Sequence, residues 1–322
     1  MTYQASGVDL KGAENHVERI GPAVTATWGD NIVGQFGGFA AGLRLPAGYR
    51  APVLMMTTDG VGTKLEIARR CNSWTGVGQD LVAMCVDDLA AAGARPLALV
   101  DYLAVGRLDS RRDEEIVSSV AAACAMAGCA LLGGETAEHP EVMKETQIDL
   151  AGAAVGIVEN GEEWGPHRVA PGDLIVGWES GNVRCNGFSL VRRIIEGRDL
   201  DARFPGEDVS LGEVLLRPAT IYAPRVAELP GGVKAAAHIT GGGIPGNLIR
   251  ALPEDCRAVL DRAAWSVPEV FSVLTAWGSI EDGEMFRVFN MGIGFCLIVA
   301  PGWDGPGLVI GRVEGGSRSI EF

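Results

Sequence analysis

Residues 57–65 read TTDGVGTKL and follow directly on an apolar run. Gly60 and Gly62 would let the backbone approach a phosphate closely, Thr63 offers a hydroxyl and Lys64 a positive charge. Asp59 falls where the strand should end, a place suited to a metal ligand. The spacing is neither that of a Walker P-loop nor the dinucleotide fingerprint, and a strand followed by D-G-x-G is equally the signature of a tight turn. A second stretch, GQDLVAMCVDDLAAAGA, has helical spacing. It sets Asp80 and Asp87 two turns apart on one face, about 10 Å from each other, with Asp88 beside them. Carboxylates on so apolar a helix are either a solvated stripe or a cation site.

A third stretch, LLGGETAEHP, ends an apolar strand in Gly133 and Gly134 and carries Glu135, Thr136 and Glu138 at its tip. Together with Asp59, Asp87 and Asp88 it makes an oxygen-rich cluster of the kind that suits Mg²⁺, a hard cation that bridges carboxylates to phosphates. His139 reads as a turn residue, since nothing in the sequence fixes a partner for it. In AAAHITGGGIPGNL, a strand ends in His238 and Thr240. Gly241, Gly242 and Gly243 then precede a helix with Pro245 just inside it. Such a turn is either a flexible loop or an anion nest of backbone amides. Arg184 and Asn186 stand before a helix in ESGNVRCNGFSLVRR, and Asn290 and Gly292 interrupt an apolar stretch in RVFNMGIGF.

The elements that must position these residues follow from pattern. Apolar runs bounded by Gly, Pro and Asp predict strands over 52–58, 96–105, 129–132, 148–158, 174–178, 235–240, 258–260, 295–299 and 308–313. Helices are predicted over 80–92, 110–127, 187–195 and 268–277, with a short one after Pro245. The polar, Gly- and Pro-punctuated segment 159–173 divides the chain into 1–168 and 169–322, two α+β domains in keeping with 322 residues.

Composition limits the functions available. With 47% hydrophobic and 21% charged residues the chain is ordinary globular material. Its formal charge of −14, with Lys and Arg scattered, argues against a nucleic-acid partner. Seven cysteines without a C-x-x-C pair read as reduced, mostly buried thiols, and Cys185 beside the candidate site is either one of these or a reactive thiol. The N-terminal MTYQASGVDL lacks the character of a signal peptide, and the best apolar run, 293–300, is far too short to span a membrane. A cytoplasmic location is therefore expected.

Taken in order, TDGVGTKL, GQDLVAMCVDDL, GGETAE, CNGFSLVRR, HITGGGIPGNL and FNMGIGF resemble the phosphoribosylformylglycinamidine cyclo-ligase family, also called aminoimidazole ribonucleotide synthetases, over nearly the whole chain. The resemblance implies a homodimer of two-domain subunits whose first domains pair their sheets, with ATP and Mg²⁺ bound near that interface. It implies a small amide or amidine substrate: ATP phosphorylates the amide oxygen of formylglycinamidine ribonucleotide, the amidine nitrogen attacks, phosphate leaves and an imidazole ring closes. By the same resemblance Asp59, Asp88 and Glu135 would hold the metal. Gly60, Gly62, Thr63, Lys64, Asp80, Asp87, Gly133, Gly134, Thr136, Thr240, Gly241 and Gly242 would join them around ATP. His238, Arg184 and Asn186 would lie toward the chemistry.

Four positions depart from the family pattern. Gly21 replaces the lysine of R-I-K, Asp87 the asparagine of V-N-D, Arg184 the histidine of H-S-N-G, and His139-Pro140-Glu141 stands for M-P-G. An arginine cannot serve as a general base at neutral pH. These changes keep open a paralogue that applies the same activation to another substrate, to be separated by rescue of a purine auxotroph. A small-molecule kinase of the superfamily would release no phosphate, and a non-catalytic nucleotide binder would give no substrate-dependent ADP. A selenophosphate synthetase would need an N-terminal reactive Cys, whereas the first is Cys71, and a hydrogenase-maturation relative would end in Cys, not Phe322. Asp59, Asp88 and Glu135 should converge on one cleft if they share a cation.

Overall fold

A computed structural model describes residues 10–322. Helix α1 (Leu10–Thr25) leads through a small hairpin, β1 (Ile32–Val33) and β2 (Gly42–Leu43), into the first main sheet. That sheet has the order β3-β6-β4-β5, from β3 (Pro52–Gly60), β4 (Arg95–Val105), β5 (Ala130–Glu138) and β6 (Ile148–Glu159). Only β4 and β5 run parallel, joined by α4 (Ser110–Ala127) as a crossover. The ends of α4 obey local chemistry. Asp109 accepts from the amides of Arg111 and Arg112 at 3.1 Å, and Gly128 takes the left-handed conformation that closes the helix.

Helix α2 (Lys64–Cys71) and helix α3 (Val77–Ala91) follow β3. The second helix is apolar on nearly every side because both domains cover it. Leu81, Val82, Cys85, Val86 and Leu89 share one core with Val176, Trp178, Tyr222, Phe295 and Leu297 of the second half. Gly78 lets α4 approach, since a Cβ there would lie 2.1 Å from Ser119 Oγ.

The second sheet has the order β12-β9-β11-β7-β10-β8. Its strands are β7 (Leu174–Glu179), β8 (Val233–His238), β9 (Cys256–Leu260), β10 (Ile293–Val299), β11 (Leu308–Gly315) and β12 (Ile320–Glu321). Strand β10 is buried at every position, as a central strand covered on both faces must be. Helices α5 (Phe188–Ile194), α6 (Leu211–Leu216), α8 (Gly243–Leu248), α9 (Glu269–Gly278) and α10 (Asp282–Val288) contribute to a core on one face of this sheet. Helix α7 (Ala223–Ala227) packs against α3 on the other.

Three expectations change. Strand β5 does not stop at Gly133–Gly134 but runs on to Glu138, because Gly133 (φ 148°) absorbs a register shift against Val100. Glu135, Thr136 and Glu138 therefore lie within a strand. Helix α1, unpredicted, forms despite Gly12, Gly21 and Pro22, since packing on α4 and β5 outweighs weak propensity. The short helices α2, α6, α7 and α10 were also not predicted.

One face of the first sheet stays open. Leu54 (51% exposed) and Met56 (77%) on β3, with Val100 and Tyr102 on β4, point away from the helices. Cα pairing sets Gly60, Ala151, Tyr102 and Glu135 in one row across this face. Among the described residues, no helix is long and apolar enough to cross a membrane.

Candidate active site

The three carboxylates of α3 divide between two tasks. Asp80 and Asp87, two turns apart, are both fully buried against the second domain. Asp80 pairs with the Lys64 ammonium at 2.7 Å and accepts from Ala219 N at 2.8 Å, while Lys64 also donates to Arg217 O at 2.9 Å. Asp87 accepts from Tyr222 N at 2.7 Å and Ala223 N at 2.9 Å, and pairs with Arg184 at 3.1 Å. These two side chains thus clamp segment 217–223 to the first domain. Lys64, Asp80 and Asp87, expected around a nucleotide, are corrected to interdomain struts: each is out of solvent and its polar atoms are committed inside the protein.

Asp88, one residue on, turns outward and is 42% exposed at its side chain. Its Oδ1 lies 2.9 Å from His238 Nδ1, and its Oδ2 accepts from Thr57 Oγ1 at 3.4 Å. Asp59, at the end of β3, caps its neighbour by accepting from Gly60 N at 2.7 Å. Burial pushes the Asp59 pKa up, opposed by the Gly60 hydrogen bond, raised further by the charge of Asp88 and lowered by His238. Asp59, Asp88 and His238 are therefore electrostatic neighbours at the mouth of the domain interface.

Arg184 and His238 stand behind this pair. Both are buried, with Arg184 Nη2 2.8 Å from His238 Nε2 and Nη1 donating to Thr220 O at 2.8 Å. The guanidinium carbon lies 4.8 Å from the centre of the Tyr222 ring. Neither side chain is open to a substrate, which corrects the expectation that they meet it directly. Cys185 is buried as well, and burial raises its pKa well above that of an ordinary thiol, so it is a core residue.

The rim of the cleft comes from both domains. Thr63 Oγ1 lies 3.3 Å from Ser189 Oγ at the start of α5, and Gly62 takes φ 68° with open space around it. Asn186, half-buried, lies beside Met84 and Gly241. The glycine turn before α8 is pinned by Asn247, whose Nδ2 donates to the carbonyl oxygens of Gly243 at 2.8 Å, Gly241 at 3.2 Å and Thr240 at 3.4 Å. It is a fixed turn, with Gly242 (φ 99°) and Gly243 (φ 59°) in conformations that favour glycine.

Glu135 is not part of this cleft. Strands β3 and β5 are opposite edges of the sheet, roughly 14 Å apart at three strand spacings. Among the described residues no three His, Cys, Asp or Glu side chains lie close enough to hold a metal. Convergence of Asp59, Asp88 and Glu135 within one chain is thereby overturned, because β6 and β4 stand between them. Gly133, Gly134, Glu135 and Thr136 instead line a cavity of about 910 Å³ closed by α1 and the stretch 35–41. Two of its residues escaped the sequence reading. His16, buried, lies 3.2 Å from Thr136 Oγ1 through Nε2 and has no partner at Nδ1. Asp101 is buried, and burial pushes its pKa up to about 7. A lone carboxylate in LALVDYLAV was a visible signal for Asp101; His16 had none, because α1 was not foreseen.

The remaining departures are local. Gly21 makes room for Phe36, whose ring would lie 3.1 Å from a Cβ there. His139 Nε2 meets Tyr102 Oη at 3.0 Å, and Glu141 takes φ 67° in place of the glycine of M-P-G.

Comparison with known proteins agrees with this architecture. The family model described as AIR synthase related protein, N-terminal domain, matches residues 40–158, and its C-terminal counterpart matches 170–304. The chain is 44% identical over 305 residues to a phosphoribosylformylglycinamidine cyclo-ligase of Synechococcus sp. (strain CC9605), covering 93% of this chain and 88% of that one. It is 46% identical over 308 residues to the trifunctional purine biosynthetic protein adenosine-3 of Gallus gallus, covering 93% of this chain and 30% of that protein. Among solved structures, thiamine-monophosphate kinase from Stenotrophomonas maltophilia K279a superposes with a TM-score of 0.69 at 21% identity, covering 94% of each chain. The E. coli hydrogenase maturation protein HypE does so with 0.64 at 15%, covering 96% of this chain and 92% of that one. These last two share the fold. By both matched domain models and by identity across nine-tenths of its length, the chain belongs to the AIR synthase related, phosphoribosylformylglycinamidine cyclo-ligase family.

Proposed function

We propose that this protein is an ATP-dependent cyclo-ligase that converts formylglycinamidine ribonucleotide to aminoimidazole ribonucleotide, with release of ADP and phosphate. The observation that carries this reading is the contrast in identity: 44% over 93% of the chain to a cyclo-ligase, against 21% to a kinase of the same fold. The chemistry is coherent. An amide oxygen is a poor leaving group, and transfer of a phosphoryl group to it makes a good one. The amidine nitrogen then attacks the activated carbon, and the oxygen departs with phosphate as the ring closes.

The interdomain cleft supplies what such a reaction asks of a protein. Asp59 and Asp88 would hold Mg²⁺, which commonly takes one or two carboxylates and completes its shell with phosphate oxygens and water. The pair therefore fits a cation that arrives with its nucleotide. When bound, Mg²⁺ offsets the charge of the transferring phosphoryl group. The Gly60–Thr63 turn lies beside the carboxylates with an open backbone at Gly62, and Asn186 supplies a neutral donor and acceptor across the cleft. Thr63 and Ser189 meet at 3.3 Å at the rim, where the two domains approach each other.

The reading assigns residues 1–168 to nucleotide binding and dimer formation and 169–322 to the second domain. A homodimer would cover the open sheet face that exposes Leu54, Met56, Val100 and Tyr102, since so apolar a surface is unfavourable in water. Glu135 would be part of that covered face. The location is cytoplasmic, where ATP and the ribonucleotide are found.

The test is ADP and phosphate release by purified protein with ATP, Mg²⁺ and formylglycinamidine ribonucleotide, beside a panel of amide analogues. Both products should appear with the ribonucleotide and not without it. Turnover confined to an analogue would point instead to a paralogue, which the changes at Gly21 and Arg184 favour. ADP without phosphate release would mark a kinase.

A further inference from the structure

Two buried, oppositely charged side chains from different domains touch each other at the domain interface. Asp87 and Arg184 are 97 residues apart in sequence and 3.1 Å apart in space, and both are out of solvent. Arg184 also holds a left-handed backbone (φ 63°), a strained setting for a non-glycine residue. Its amide is tied to Asn182 Oδ1 at 2.9 Å, and its side chain is gripped by Asp87, Thr220 O and the Tyr222 ring. A side chain so constrained has one orientation. That orientation carries Nη2 to 2.8 Å from His238 Nε2.

The polarity of that contact is dictated by chemistry. A guanidinium has only protons to offer, so His238 Nε2 must accept. The other acceptor nearby, Asp87 Oδ2, lies 3.9 Å from Nε2, beyond hydrogen-bond reach, so it draws no proton to that nitrogen. The ring proton is then on Nδ1, 2.9 Å from Asp88 Oδ1, and is donated there. We infer that Arg184 is a positioning residue: it fixes the tautomer of His238, and through it the orientation of the one α3 carboxylate that faces the cleft. Arg184 and His238 belong to the second domain and Asp88 to the first, so the carboxylate is set only when the domains are docked. This assigns a task to a buried arginine, and it leaves no free nitrogen on His238 for proton transfer with substrate.

The inference rests on the cyclo-ligase reading for what Asp88 does, and not for the tautomer, which is a property of the protein alone. The measurement is the ¹⁵N resonances of histidine-labelled full-length protein without nucleotide; the chain has four histidines. His238 should show an unprotonated Nε2 and a protonated Nδ1. A protonated Nε2, or an average of both forms, overturns the inference with no variant needed. In Arg184→Met the donor to Nε2 is gone, and a proton on Nε2 should become detectable beside the Nδ1–H that Asp88 still accepts. The magnesium concentration at half-saturation of ATP binding should rise about 10–100-fold, the usual effect of removing a group that orients a ligand. A variant that folds, keeps the wild-type tautomer and binds magnesium–ATP unchanged would refute it. A tautomer that changes as described in a protein with no cyclo-ligase turnover would uphold the positioning role and defeat only the activity.

Discussion

Replacing Lys64 by Met tests whether this lysine serves the fold or the nucleotide. Lys64 and Asp80 are both entirely buried, their charges 2.7 Å apart, and the remaining contacts are Arg217 O and Ala219 N. Removing the ammonium leaves Asp80 with the Ala219 amide and the weakly donating Cys185 thiol, in a site where burial already pushes its pKa up and Lys64 pulls it down. Breaking a buried pair in this way costs about 3–5 kcal/mol. At roughly 2 °C per kcal/mol for a chain of this size, Tm should fall on the order of 5–10 °C. In the variant the folded carboxyl titrates above its unfolded value, so the deficit is smallest in acid and grows as pH rises through the folded pKa. Lys64→Met with Asp80→Asn should recover most of the loss, since Asn still accepts from Ala219 N and no charge is stranded. The assay is thermal and urea unfolding at fixed protein concentration, beside equilibrium binding of magnesium–ATP. A single variant with unchanged Tm and abolished nucleotide affinity would show that Lys64 is a phosphate ligand after all, and the strut reasoning would fail.

Met56→Asp places a charge in the middle of the open sheet face and should convert a dimer to a monomer on size exclusion with unchanged circular dichroism; a persisting dimer would move the interface elsewhere. Asp101→Asn removes a carboxyl whose folded pKa, about 7, lies above its unfolded value. The wild type therefore loses stability as pH rises from the unfolded carboxylate range to about 7, and the variant should gain up to a few kcal/mol over it at pH 8.5 and little at about pH 3.5. An equal Tm difference at both pH values would contradict this. Glu141→Gly relieves a left-handed backbone at an exposed turn and should stabilise by about 1 kcal/mol, seen as a small rise in urea midpoint; a fall would show that the Glu141 side chain matters more than its φ.

Much of the fold was written locally. Asp109 and Gly128 bound α4 at the ends of the predicted 110–127, and the strand predicted over 295–299 lies within β10. Such features depend on neighbours a few residues away, so periodicity and turn chemistry expose them. Helix α1 was not legible, because Gly12, Gly21 and Pro22 weaken every local signal and only packing on α4 and β5 makes it a helix. The glycine pair in β5 misled in the same way: it marks an irregularity inside a strand, not its end.

The chemistry divided along the same line. From the residues alone came the motifs, their order and the likeness to a family that activates an amide with ATP. Which carboxylates stay open to solvent was decided only by the tertiary structure. Asp80, Asp87 and Asp88 share a helix, yet two are sealed against the backbone of segment 217–223 and the third meets a histidine 150 residues away. Asp59 and Glu135 look equivalent as acids beside glycines near strand ends, yet they occupy opposite edges of one sheet. A side chain's chemistry is set by what removes it from water, and in this protein that is a second domain whose docking no local pattern encodes.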